Sequence, residues 1–533
     1  MKIRLKKELE CGYSETEIAE GTTLETLMHA YEKELPYTVL AAKMNNRIVR
    51  LTEIIDRPCR VEFLDMRTRA AHLIYQYSLT FMYLSAVRDV MGTEDVDVEN
   101  PLNKGVFTII RTEEPVSAAN VKAIENRMHE MVKEDIPFEL DGVHKTGSMQ
   151  EMRFYKLKDH EQFFYGLMVP STGYLKNFQL KKYKNGVILR FPQPAQPDRM
   201  PVYVDEKKMY AAFVEAARWQ KLLDISFVWD LNEKIRNGEI REIIQMSGAL
   251  HEKRIVEIAG EITEKKKRIV LIAGPSSSGK TTFARRLCIQ LKVNGLKPLY
   301  LGTDDYFVDR EHTPRDKNGE PNYEDLDALD VELFNRDMNA LLKGETVDLP
   351  EFDFIQGKKI FSRRKLAIDA DQPIVIEGIH ALNNALTPYI DDMEKFRIYI
   401  SPLTQLNIDR HNIISTTDSR MIRRMVRDHR ARGHSARETI REWPKVRAGE
   451  DKNIFPYSNA ADAFFNSVHI YELGVLKKYA EPLLSAIKPE EPEYSEAVRM
   501  LKFLSFFKII DDDSIISNTS ILREFIGGSV FVD

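Results

Sequence analysis

The sequence predicts an α/β fold over residues 266–490, a parallel sheet flanked by helices, preceded by two smaller mixed modules. Three observations carry the prediction. Ile269-Val-Leu-Ile-Ala273 is a short apolar strand, Gly274-Pro-Ser-Ser-Ser-Gly-Lys-Thr281 a glycine-bounded loop, and Thr282 to Leu291 a helical stretch. Two further apolar runs end in acids: Pro298-Leu-Tyr-Leu-Gly-Thr303 before Asp304 and Asp305, and Pro373-Ile-Val-Ile376 before Glu377. Strands alternating with helical stretches are the pattern of a parallel sheet. Ahead of them, Ile3 and Leu5 alternate with charge and Thr23 opens a helical repeat, which predicts separate β-and-helix folding at the front.

In chain order, residues 1–65 read as a small module: strands around Ile3, Val39–Met44 and Arg60–Leu64, with one helix capped by Thr23. Residues 66–200 read as an α+β module. It has helices over His72–Val87 and Asn120–Glu134, and strands over Gly105–Ile110, Phe163–Val169 and Val187–Phe191. Pro192-Gln-Pro-Ala-Gln-Pro-Asp-Arg-Met-Pro201 breaks the pattern, and residues 201–265 read as a helical connector. Residues 491–533 form a tail with an apolar helical stretch over Ala497–Ile510, expected to pack on the preceding domain.

At 533 residues, with 43% hydrophobic and 30% charged, the composition is that of a globular chain of three or four domains. Lys+Arg 77 against Asp+Glu 82 gives a net charge of −5, so no global basic field points to nucleic acid, although local patches remain open. Cys11, Cys59 and Cys288 have neither metal-ligand nor redox spacing. Met1-Lys-Ile-Arg-Leu-Lys-Lys-Glu8 lacks the apolar core of a signal peptide, and no apolar run reaches the ~18 residues that span a bilayer. The expectation is a cytoplasmic protein without membrane contact.

The loop fits G-x-x-x-x-G-K-[ST] in its strand–loop–helix setting, the arrangement of a P-loop. Gly274 and Gly279 let backbone N–H groups turn inward on a phosphate, and Ser276, Ser277, Ser278 and Thr282 complete the cradle. The helix start adds its positive dipole end. Lys280 is placed to reach the β- and γ-phosphates and Thr281 to ligate Mg²⁺. Asp304 and Glu377 stand at strand carboxyl ends, where doubly wound sheets bind ligands. A carboxylate at Asp304 can ligate Mg²⁺, accept a hydroxyl proton or cap the next turn, and the residues alone leave these open. Arg420, Arg423, Arg424 and Arg427 recur at i, i+3, i+4 and i+7 on one helix face, with Gly433 as the helix end. Such a run fits a solvated face, and fits better a lid whose guanidinium forks neutralise a phosphoryl group.

These pieces, together with Thr303-Asp-Asp-Tyr-Phe307, Asn322-Tyr-Glu-Asp-Leu-Asp-Ala-Leu-Asp330, Leu349-Pro-Glu-Phe-Asp-Phe354 and Glu377-Gly-Ile379, resemble the uridine kinase/phosphoribulokinase family, and uridine–cytidine kinases most closely. The resemblance implies Asp304 as the base for a nucleoside 5′-hydroxyl, Asp327 as the acid that holds the ribose hydroxyls, and Thr281, Asp304 and Glu377 at the magnesium site. It also implies Phe307 and Phe352 in the acceptor pocket, Arg420 against the acceptor, Arg423 and Arg427 on the transferring phosphoryl group, and ATP with Mg²⁺ as cofactors. One departure stands out. The Tyr and His that recognise the base in uridine–cytidine kinases fall at Phe352 and about Gly357, so two polar contacts to the base are missing.

The front has a likeness of its own. Thr22-Thr-Leu24 with Arg60-Val-Glu-Phe-Leu64 resembles the TGS module of threonyl-tRNA synthetases, a small β-grasp-like fold. Ala70-Ala-His-Leu-Ile74, Ile124 to Pro137 and Val169 to Leu180 resemble the editing domain of those synthetases. The family's editing chemistry does not carry over: of its first histidine pair only His72 remains, opposite Thr68, and Phe164 and Met168 hold the places of its Cys and His. The expected activity is ATP-dependent phosphorylation of a nucleoside 5′-hydroxyl. Phosphorylation of another sugar-containing alcohol, and a tRNA-binding regulator with a nucleotide-switch P-loop, stay open beside it. The nucleoside base, the choice between ATP and GTP, and the oligomeric state, a homo-oligomer included, also stay open.

Overall fold

The computed structural model of the chain describes residues 1–146, 150–315, 319–404 and 406–532. The front sheet joins β1 (Lys2–Lys6), β2 (Ser14–Glu17), β3 (Val39–Met44), β4 (Arg47–Val49) and β5 (Arg60–Asp65) in the order β2-β1-β5-β3-β4. Only the β1–β5 pair is parallel. Ile3 and Leu5 point inward, as their alternation requires, and meet Leu24, Leu27 and Met28 of α1 (Leu24–Ala30). Thr23 caps that helix by accepting the Thr26 N–H at 3.1 Å.

The second module is built around α2 (Arg69–Met91), which starts at the Thr68 cap and ends at left-handed Gly92. This helix is buried on nearly every face, so its apolar residues show no stripe. Packed around it are β6 (Val96–Leu102), β7 (Gly105–Ile110), α3 (Ala118–Glu134), β8 (Glu139–Thr146), β9 (Gln150–Leu157), β10 (His160–Phe164), β11 (Gln179–Tyr183) and β12 (Gly186–Arg190). The strands form two antiparallel sheets, β11-β12-β7-β6 and β10-β9-β8. The strand expected over Phe163–Val169 stops at Phe164. Beyond it the backbone bonds to side chains instead of a ladder: the Val169 N–H donates to Ser78 Oγ at 3.0 Å, and Gly166 O accepts the Tyr155 hydroxyl.

The expected connector does not act as a linker. Its helices, α4 (Lys207–Leu223), α5 (Val228–Arg236) and α6 (Ile240–Glu264), bury Phe213, Leu231, Ile255 and Ile258 in the cores of the neighbouring sheets. In the C-terminal region, β13 (Ile269–Ala273), α7 (Lys280–Val293), β14 (Leu299–Gly302), α8 (Val331–Leu342), the hairpin β15 (Val347–Asp353) and β16 (Lys358–Leu366), β17 (Ile374–Glu377) and β18 (Lys395–Ser401) come first. α9 (Thr416–Arg432), α10 (Ala436–Asn453), β19 (Ala463–Asn466), α11 (Glu472–Ser485), α12 (Tyr494–Leu504) and α13 (Arg523–Ile526) follow. The central sheet has the order β14-β17-β13-β18-β19 and is parallel throughout. β13 is buried along its whole length because helices cover both faces, which is why it reads as an unbroken apolar run. Among the described residues no helix is long and apolar enough to cross a membrane.

The segment between β18 and α9 is stitched to the second module. Val98 N–H donates to Arg410 O at 2.8 Å, Asn407 Nδ2 to Val98 O at 3.0 Å, and Asn412 Nδ2 to Phe163 O at 3.1 Å. At the first turn of α9, Asp418 is 1% exposed between two guanidiniums, Arg69 of α2 and Arg499 of α12. Burial alone would raise this carboxyl, but Arg499 and Arg69 overcome it and hold it below the usual aspartate range. A depressed acid stabilises the fold above its unfolded pKa, about 3.9, and loses that share as pH falls through the folded value. Asp418→Ala takes one partner from Arg69 and Arg499, which are partly exposed and keep Glu496, and is expected to cost about 1–3 kcal/mol in urea unfolding at pH 7. An unchanged midpoint there would mean that the cluster does not tie the modules together.

Candidate active site

The loop between β13 and α7 is shaped by its glycines. A Cβ on Gly274 would strike the Ile400 carbonyl, and Ser277 and Gly279 adopt φ of +60° and +85°. That path turns successive N–H groups toward one point, the geometry of an anion-binding nest. Lys280 folds back across it and donates to Gly274 O at 2.8 Å. The hydroxyls of Ser277 and Ser278 are buried and have no hydrogen-bond partner. Orphaned buried donors beside an inward-turned loop fit a phosphate. Desolvation lowers Lys280, opposed by the acids Glu377, Glu524, Asp304 and Glu450.

Strand register gathers the acids. Gly302 at the end of β14 pairs with Glu377 at the end of β17, and Ile272 of β13 lies on the other side of Glu377. Asp304 follows directly in a short 3₁₀ turn. Its carboxylate reaches solvent, yet it sits at the base of a cleft whose walls desolvate it, so its pKa rises despite the opposing charge of Lys280. Burial likewise raises Glu377, against the Tyr300 hydroxyl, Lys280 and Thr281. Tyr300 donates its phenol to Glu377 Oε1, while the Arg285 guanidinium stacks on the Tyr300 ring at 3.8 Å. Two carboxylates and the Thr281 hydroxyl are hard oxygen donors of the kind that hold Mg²⁺ together with phosphate oxygens.

The arginine helix corrects three expectations. Arg420 and Arg423 are 2% and 0% exposed, and their guanidiniums are committed to buried carboxylates. Arg420 pairs with Glu450, Nη2 to Oε2 at 2.9 Å, and Arg423 pairs with Glu472 at 2.6 Å while donating to Ser467 O and Ser277 O. The other side of the helix carries Met421, Ile422, Met425 and Val426 into the core, so the first half of α9 is packed on nearly every face as a structural wall. Arg424, the i+4 member of the same run, donates to Ser276 Oγ at 3.0 Å and so lies on the loop. Arg427 and Arg432 share Asp428 with it. Burial lowers Arg432, and the like charges of Arg427 and Arg424 add to that, the mark of a cationic cluster short of negative charge. Thr282 is also corrected: it is 0% exposed and its hydroxyl donates into the C-terminal segment, to Glu524 Oε2 at 2.7 Å.

On the acceptor side, Asp327 is exposed and its N–H closes a turn on Asp325, whose carboxylate pairs with Lys452 at 2.7 Å. Glu324 is half-buried, with its carboxylate against Gly449 of α10. Burial raises it, and the charges that act on it are Glu450, Lys280, Arg424 and Asp304. Phe307 and Phe352, both buried, stand edge to face at 5.6 Å, with Tyr323 and Phe354 completing an aromatic wall. Gly357 has φ +69° and lies under the Arg310 side chain, so that position offers no polar contact of its own. Of the residues likened to an editing site, Phe164 and Met168 are buried in apolar core, Thr68 caps α2, and His72 is half-buried against Phe191 with its imidazole pushed down to about 4. Glu324 and Arg424 lay in stretches that the sequence singled out but were assigned no role, and Tyr300 and Glu450 carried no motif. Their roles come from which side of each element faces the cleft.

A parallel sheet whose first strand runs into this loop, with acids on the neighbouring strand ends, defines a P-loop phosphotransferase. Residues 269–473 match the phosphoribulokinase / uridine kinase family. The uridine kinase of Staphylococcus epidermidis is 30% identical over 195 residues, 36% of this chain and 84% of that enzyme. That of Staphylococcus aureus is 30% identical over 201 residues, 37% of this chain and 86% of the enzyme. The solved structure of a possible uridine kinase from Bacillus stearothermophilus is similar over 37% of this chain and 88% of that one, at 22% identity and a TM-score of 0.24, a likeness too slight to add weight. The chain belongs to the phosphoribulokinase/uridine kinase family, and it is a kinase.

The two kinds of arginine are separable by experiment. Arg423→Ala strands Glu472 as a buried charge and is expected to cost about 3–5 kcal/mol in thermal unfolding. Arg424→Ala leaves Asp428 with Arg427 and Arg432 and is expected to cost about 1 kcal/mol or less. Equal losses would erase the distinction.

Proposed function

We propose that this kinase transfers the γ-phosphoryl group of ATP to the 5′-hydroxyl of a nucleoside. The observation that carries the reading is a solvent-reachable carboxylate, Asp304, between the loop lysine and Glu324 at one sheet edge. A nucleotide switch has no use for an acceptor-side acid pair. Mg²⁺, held by Thr281 and Glu377 together with phosphate oxygens, supplies charge neutralisation when bound. Asp304 takes the proton of the attacking hydroxyl, and its raised pKa suits it to that task. Glu324, on which the charges of Lys280 and Asp304 act, accepts the ribose hydroxyls in the role that the resemblance implied for Asp327. Lys280 grips the donor phosphates, and Arg424, Arg427 and Arg432 offset charge that develops on the equatorial oxygens.

Uridine and cytidine are the first acceptors to test, from the named activity of the similar enzymes. The apolar wall of Phe307, Phe352 and Phe354 favours an acceptor whose base is stacked instead of hydrogen-bonded at that side. The front 200 residues, the part that resembles a TGS module and an editing domain, act in this reading as a scaffold: they hold the β18–α9 segment and the Asp418 end of α9.

The test is ATP consumption by the purified chain against pyrimidine nucleosides, purine nucleosides and sugar phosphates, with Lys280→Ala and Asp304→Asn alongside. One nucleoside is expected to drive turnover, and Asp304→Asn to lower kcat about 10²–10⁴-fold. Turnover driven by a sugar phosphate alone would replace the nucleoside with another alcohol, and acceptor-independent hydrolysis would remove the acceptor site. In the wild type, kcat/KM falls as pH drops through the raised pKa of Asp304, so the acid limb lies above the ordinary aspartate value of about 3.9. A limb at or below that value would take the base role from Asp304.

A further inference from the structure

The family match ends at residue 473, yet the phosphate-binding loop is walled by residues 520–527 near the C-terminus. Ile521, Leu522 and Phe525 are all 0% exposed. Ile521 lies directly on the loop, where a Cβ on Gly279 would collide with its Cγ2 methyl. Glu524 is 6% exposed and accepts the Thr282 hydroxyl in the first turn of α7. From the opposite side, Arg430 donates to Glu524 O at 3.3 Å, and Arg423, which also holds Ser277 O, stacks on the Phe525 ring at 4.9 Å. The segment is pinned in place. Arg523 donates to the carbonyls of Asp513 and Ile516, and Ser520 Oγ lies 3.1 Å from His469 Nε2.

Two features need a physical account. α7 begins at Gly279 without a side-chain cap, although its first N–H groups are the ones a phosphate must find in place. A buried carboxylate is costly, and Glu524 hydrogen-bonds a neutral hydroxyl while its charge supports that of Lys280 across the loop. Both are accounted for if the contact fixes the start of the helix from behind. We propose that Glu524 is a positioning residue of the donor-nucleotide site, clamping the first turn of α7 through Thr282 while Ile521 seals the loop at Gly279.

This inference rests on the donor site described under the proposed function and extends it to a segment outside the matched family region. It predicts a loss on the donor side alone. Glu524→Ala is expected to weaken MgADP binding, read by isothermal titration calorimetry, about tenfold, and to raise the KM for ATP similarly, with the acceptor KM unchanged. Glu524→Gln keeps an accepting oxygen and is expected to retain most of the affinity. Should Glu524→Ala fail to fold, the pair Thr282→Val and Thr282→Ser reads the same contact, the first without its hydroxyl and the second with it. MgADP affinity within twofold of wild type in both Glu524→Ala and Thr282→Val overturns the proposal. Tighter MgADP binding in Glu524→Ala also overturns it and makes the segment a competitor for the donor. A wild-type chain that binds no MgADP overturns the donor site itself, and this inference with it.

Discussion

Glu450 is the carboxylate on which the candidate site depends. It accepts the Ser276 N–H of the phosphate-binding loop at 3.0 Å, pairs with Arg420 of α9, and holds Arg447 of its own helix at 2.9 Å. It is 1% exposed, and although burial alone would raise it, the two arginines and the loop N–H keep it below the ordinary glutamate range. One buried group thereby joins the loop to α9 and α10. A pair of this kind contributes little net stability against an apolar substitute, but it tolerates only one arrangement of its members. The outcome is placement: with Arg420 and Arg423 committed to the interior, Arg424 is left to touch the loop.

Around that frame the site collects charge in a cleft that desolvates it. Lys280 is pulled down by desolvation while Asp304, Glu324 and Glu377 are pushed up. Each shift moves a group toward its neutral form, and each is opposed by a partner of opposite sign. A site in this condition favours an anionic ligand accompanied by a cation, since both deficits are then met together. The tie between Tyr300 and Glu377 belongs to the same balance, because a donor to the charged carboxylate offsets its burial.

The front of the chain contributes by position. The β18–α9 segment bonds to backbone of the second module at Val98 and Phe163, and Asp418 is caught between Arg69 and Arg499. Apolar core is continuous from α2 through the helices over residues 207–264 to the parallel sheet, so residues 201–265 are part of that packing.

Several features were legible from residues alone. The strand, loop and helix over residues 269–293 follow from an apolar run, two glycines that permit an inward turn, and helical spacing, all of them local. Gly433 ends α9 in the left-handed conformation that its place after the arginine run predicts. The parallel sheet was readable because strands covered on both faces are apolar throughout. What the sequence could not decide is which way a side chain faces once its element is packed. Arg423 and Arg424 are neighbours with the same chemistry, yet one is buried on Glu472 and the other touches the loop. Asp327 and Glu324 are three residues apart, and only the turn between them decides that one is exposed and the other half-buried against α10. Glu450 and Glu524 reach the loop from 174 and 242 residues away, as hydrogen bonds to Ser276 and Thr282. Local spacing determines the elements and their amphipathic pattern, whereas contacts across such separations depend on how helices cross and strands register, and only the tertiary structure settles those.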